Sequence, residues 1–197
     1  MQKDSEVIVS KQRTVQTYAE LWHASNCVLE TGLANKAGCS YQFLSSALLS
    51  AFSLEAYLNH VGAKTFDQWD EHDRLSPVDK LELVAAHLGV IFPNGKGGRP
   101  LQTITKLFKF RNTIAHGRTQ ELSPEPVRLT TRNYQKAYDA ELMADWERLI
   151  QTSQFATRVL EDVKCVIGRI HEARQDEKEE IFSFGPAANS ATLASCL

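Results

Sequence analysis

Residues 100–117 read PLQTITKLFKFRNTIAHG, and the way this stretch winds decides the fold. Pro100 suits the first turn of a helix, where its missing N–H has no partner to lose. Gly117 stands where a left-handed residue commonly ends one. The stretch therefore predicts a helix from about Pro100 to His116. At about 100° per residue, Leu101, Ile104, Leu107, Phe108, Phe110, Ile114 and Ala115 fill one half of its circumference. Gln102, Thr105, Lys106, Lys109 and Thr113 fill the other half. Arg111 falls in the middle of the apolar half, while Asn112 and His116 share a rim one turn apart. A guanidinium keeps its proton, so in that position it needs a counter-charge or a ligand.

Working outward, the upstream segment from about Ser40 to Gly62 has the complementary anomaly. Leu44, Leu48, Ala51, Phe52, Leu58 and Val61 make an apolar face, Glu55 points from its middle, and Asn59 follows one turn later. A carboxylate in one apolar face and a guanidinium in another predict that Glu55 and Arg111 meet between helices. On spacing alone, such a pair fixes helix register and does no chemistry. His116, likewise, reads as a helix-end histidine against the C-terminal dipole.

The remaining elements are also helical. Val15, Tyr18, Leu21, Trp22, Val28 and Leu29 predict a helix over about Thr14–Leu33, with Gly32 and Gly38 marking the turn after it. Residues 64–76, with the acidic cluster Asp70, Glu71 and Asp73, read as a loop or short helix with a solvated turn. Ser76-Pro77-Val78-Asp79 opens a helix with a capping serine, a first-turn proline and an acid three residues on. The glycine-rich run 93–100 lacks the order of a phosphate-binding loop and no strand precedes it, so it reads as a connector. Residues 119–132, with Pro124 and Pro126, read as a loop. Tyr134 to Ala173 is the longest periodic segment, broken once. Ala156, Leu160, Val163, Ile167 and Ile170 alternate spacings of three and four, as in a packed helix. No internal repeat and no alternating strand stands out. The expected fold is all-α, a single bundle of about five to six helices. Its expected organisation is a flexible lead-in at 1–12, the helical domain at 13–175 and a disordered tail at 176–197.

A chain of 197 residues, 43% hydrophobic and 23% charged, holds one domain with a proper core. Its net charge of −2 does not point to nucleic acid, but the distribution does. No Asp or Glu occurs from Leu83 to Gln120, whereas Lys96, Arg99, Lys106, Lys109, Arg111 and Arg118 all fall there. Cys27, Cys39, Cys165 and Cys196 show no CxxC spacing and read as reduced thiols of a cytoplasmic protein. Met1–Val15 lacks the apolar core of a signal peptide. The longest apolar run, Phe43–Phe52, is broken by serines and too short to span a bilayer, so no membrane role is expected. His23, His60, His72, His87 and His171 show no metal-ligand spacing, and no metal or cofactor is expected. No GxSxG or paired-carboxylate motif suggests another hydrolase.

Arg111-Asn112-Thr113-Ile114-Ala115-His116 resembles the Arg-Asn-x-x-x-His signature of HEPN domains, and residues 51–59, with Glu55 and Asn59, resemble the polar-marked helix that precedes it. The resemblance covers about Thr14–Ala173. It implies an HEPN-like helical bundle and a metal-independent endoribonuclease. RNA carries its own nucleophile, the 2′-hydroxyl, and cleavage through it leaves a 2′,3′-cyclic phosphate. Histidine suits the proton transfers, and arginine suits the phosphate. The resemblance assigns those roles to His116 and Arg111, with Asn112 and Glu55 positioning them. Lys109, Arg118, Lys106, Asn59, Arg99 and Lys96 then become the RNA-binding residues. It further implies a homodimer with a composite site, RNA as partner, and a toxin–antitoxin or anti-phage setting with an antitoxin or defence partner protein. The alternative is a non-catalytic HEPN module that binds RNA or a partner protein. One HEPN toxin subgroup carries a tyrosine two residues after the histidine, where its nucleotidyltransferase antitoxin modifies it. Here that residue is Arg118, so no such partner is expected.

Overall fold

The computed structural model describes residues 7–72, 74–174 and 180–193. Its first helix, α1 (Thr17–Ala34), buries Tyr18, Ala19, Trp22, Ser25, Leu29 and Gly32, a single helical face. Residues 35–38 turn the chain, and α2 (Cys39–Thr65) runs back along α1. The two bond through serines. Ser53 Oγ donates to the Tyr18 carbonyl at 2.8 Å, and Ser25 Oγ to the Ser46 carbonyl at 2.9 Å. Later residues of α2 thus meet earlier residues of α1, as an antiparallel pair requires. Ser46 and Ser50, two of the serines that interrupt the apolar run, are therefore buried and hydrogen-bonded to Ser25 in this seam, where small side chains let the helices approach closely.

A single 3-10 turn (Trp69–His72) follows α2, with Asp70 and Glu71 exposed as expected of a solvated turn. The Trp69 indole lies across Gly62, where a Cβ would come within 2.3 Å of the ring. Only glycine leaves room for that contact. Then α3 (Pro77–His87) starts at Ser76, whose Oγ accepts from the Asp79 N–H at 3.2 Å. The proposed phosphate-loop look-alike at 93–100 is a connector, as expected, and leads into α4 (Leu101–Ala115). Later come α5 (Tyr134–Tyr138), α6 (Asp145–Ile150) and α7 (Ser153–Ala173). Phe155, Ala156, Val159, Val163, Val166, Ile167 and Ile170 of α7 close the core against α2, α4 and α1. The architecture is an all-α bundle. Among the described residues, no helix is long and apolar enough to cross a membrane.

The segment from Tyr134 to Ala173 is broken twice, not once. Residues 139–144 separate α5 from α6, and Gln151-Thr152 separates α6 from α7. Tyr134 and Tyr138 of α5 stay exposed, so no packing demand holds that turn in phase with α7.

The chain ends also differ from expectation. β1 (Val7–Arg13), inside the expected lead-in but for Arg13, pairs antiparallel with β2 (Ala187–Leu193), inside the expected disordered tail. The register runs from Val7 opposite Leu193 to Arg13 opposite Ala187. Every residue of β1 is exposed, so no buried face imposes the alternation by which a strand is read. The tail is anchored before β2: Phe182 stacks on Trp22 at 4.4 Å and Phe184 on His23 at 4.5 Å. Gly185, at φ +85°, crosses so near the Thr14 carbonyl that a Cβ would clash there. Residues 1–6, 175–179 and 194–197, Cys196 included, lie outside the described residues, as does Asp73.

Candidate functional site

The two sequence anomalies meet. Arg111 Nη2 of α4 donates to Glu55 Oε2 of α2 in a short ion pair, with the two side chains 17% and 28% exposed. Phe52 and Phe108 flank the guanidinium, with ring centroids 5.9 and 5.7 Å from its carbon. Charge and aromatic faces together seat it in an apolar helix face. Arg111 Nη1 donates to Asn112 Oδ1 at 3.0 Å, whereas Nε is buried with no hydrogen-bond partner. Of the five N–H bonds of a guanidinium, Glu55 and Asn112 take one each and the Nε–H is enclosed. Those left over lie on Nη1 and Nη2.

His116 sits just past the end of α4, exposed, with its backbone N–H bonded to the Asn112 carbonyl at 3.0 Å. Asn112 thus touches both ends of the motif, with its side chain on Arg111 and its carbonyl on His116. Gly117 does not take the left-handed cap expected of it, since its φ is not positive. The helix ends instead through a bond from the Gly117 N–H to the Ile114 carbonyl at 3.3 Å.

Asn59 is drawn elsewhere. Its Oδ1 accepts from Lys80 Nζ of α3 at 2.9 Å, and Lys80 is only 2% exposed and 5.8 Å from the Trp69 ring. Asn59 helps seat a buried lysine. The sequence reading missed Lys80, although a signal existed: Pro77, Lys80, Leu81 and Val84 share one face of α3.

Two of the expected RNA-binding cations are committed to carboxylates. Arg99 Nε lies 3.1 and 2.9 Å from the two oxygens of Asp162 on α7, and its Nη2 lies 3.0 Å from Glu161. The Asp162 hydrogen bonds, then those of Glu161, push the Arg99 pKa up. Lys96 Nζ meets Glu82 Oε1 of α3 at 2.6 Å. The acid-free window from Leu83 to Gln120 is thus neutralised in part by acids outside it, and Arg99 pins the connector. Lys106, Lys109 and Arg118 remain exposed and form no ion pair with a described carboxylate.

Among the described residues, no group of three or more His, Cys, Asp or Glu is placed to share a metal ion. His23, His60, His72 and His87 lie against aromatic rings, and His23 Nε2 also lies 3.0 Å from the Phe182 carbonyl. Compared with protein-family models, curated proteins and solved structures, the chain matches none.

Proposed function

We propose that the chain is an HEPN-type, metal-independent endoribonuclease whose site is built on Arg111, Asn112 and His116 and braced by Glu55. One observation carries the reading: the Glu55–Arg111 pair holds a fork with spare Nη–H donors, and Asn112 links it, through its side chain and its carbonyl, to an exposed histidine at the same helix end. In this reading His116 takes the proton of an RNA 2′-hydroxyl, and the freed oxygen attacks the adjacent phosphorus. The bond from phosphorus to the 5′-oxygen breaks and a proton is delivered to that oxygen. The products are a 2′,3′-cyclic phosphate and a 5′-hydroxyl. Arg111 lends its remaining donors to the phosphate as negative charge builds.

The reading includes a cytoplasmic homodimer, in which each protomer contributes its own Arg111 and His116 across a two-fold axis. It includes a toxin–antitoxin or anti-phage setting with a protein partner. The test is cleavage of mixed cellular RNA, with EDTA present, by wild type and His116→Ala side by side. Cutting by wild type alone, with cyclic-phosphate ends, supports it. If neither protein cuts while both stay folded, the ion pair is a register lock in a non-catalytic HEPN module that binds RNA or a partner protein.

A further inference from the structure

About 100–160° round α4 from Arg111, by the helical repeat, Lys106, Lys109, Phe110 and Thr113 line a cleft of about 590 Å³. Trp146 and Arg148 of α6 line it from the other side. That volume matches a site for one small organic group. Its charge is mostly positive. Lys106 and Lys109 are exposed and one turn apart, and the Arg148 side chain is 66% exposed. The acid in the lining, Asp145, is fully exposed and lies 3.9 Å from Arg148.

The aromatic component is distinct from the core. Trp22 and Trp69 are 7% and 5% exposed, whereas Trp146 is half-buried, packed against the core and open to the cleft. A fixed indole edged by three separated cations suits a flat, weakly polar ring carried between phosphates. We infer that the α4–α6 cleft holds one unpaired nucleotide of a single-stranded RNA, with its base on Trp146 and its flanking phosphates on Lys106, Lys109 and Arg148. A duplex keeps its bases stacked inside and presents no such ring. Gln120, four residues past His116, also lines the cleft. The inference rests on RNA as the substrate of the Arg111 site and does not need its catalysis.

The test uses the full chain and a 2′-O-methyl oligouridine, which cannot be cleaved. Affinity is read by fluorescence anisotropy and by quenching of tryptophan emission. Trp146→Ala is expected to weaken binding on the order of 10-fold, and Trp146→Phe much less. Trp146→Phe should also remove the quenching. Lys109→Ala with Arg148→Ala, both at exposed positions, should flatten the salt dependence by about 0.7 in log–log slope per lost contact. If affinity stays within about twofold across the cleft variants, or if a duplex binds as tightly, the cleft is not the site. RNA cutting that the cleft variants leave untouched overturns the cleft alone. Cleft-dependent binding without any cutting overturns the catalytic reading alone.

Discussion

Two arginines in this molecule each meet acid on a different helix, and they do it differently. Arg99 reaches α7 with several donors. Two of its nitrogens lie within 3.1 Å of Asp162, and one of these also meets Glu161. Its side chain is 47% exposed, and the enclosed member is Asp162, at 7%. Arg111 meets one oxygen of Glu55, leans on Asn112 and two phenyl rings, and keeps donors in reserve. Bonded to two acids through Nε and Nη2, Arg99 has its charge offset twice and is a clamp on the connector before α4. Arg111 is a clamp with unused capacity, and unused capacity is what a phosphate needs.

The comparison breaks most sharply on catalysis. Arg111→Lys keeps a charge and loses the fork, and is expected to lower RNA cleavage by about 10²–10³-fold in product-end assays. Arg99→Lys should leave cleavage per folded molecule unchanged. Equal losses in both would make the two clamps equivalent. Next in size, Arg99→Ala strands the enclosed Asp162 carboxylate, and should lower stability in urea melts by about 1–3 kcal/mol. Glu55→Gln keeps the shape and removes the charge. A loss of about 1–2 kcal/mol is expected, accompanied by weaker cleavage, whereas Arg99→Ala should change stability alone. Smallest, Lys96→Ala removes a pair that is 77% and 46% exposed, and should shift stability by no more than about 0.5 kcal/mol. A larger shift there would mean that the connector depends on Lys96 as well as on Arg99.

The Arg111–Glu55 pair was legible because both residues contradict the face they lie on. A charge in an apolar stripe has few ways to exist, and each member of the pair supplies the other's. The Ser76 cap was legible for a similar reason, since Ser-Pro-Val-Asp satisfies a helix start within four residues of chain. Lys80 carried the same kind of signal on α3 and went unread, and with it the engagement of Asn59. The charge window around the signature misled in the opposite direction. Counting along the chain cannot register Asp162, which is 63 residues from Arg99 in sequence and bonded to it in space.

By itself, the sequence determined what is periodic and local: the long helices, the cap of α3, the connector at 93–100 and the stripe residues that cannot face oil unpaired. Hydrophobic period and capping act within a few turns, so they are written into neighbouring residues. Only the tertiary structure decided which cations stay open, where the chain ends go and where α6 stands relative to α4. β1 and β2 pair residues as distant as Val7 and Leu193 without burying any residue of β1, so no local pattern announces them. The cleft beside Trp146 is likewise lined by residues of two helices, because a helix carries only its own face, and what lies between two of them belongs to neither.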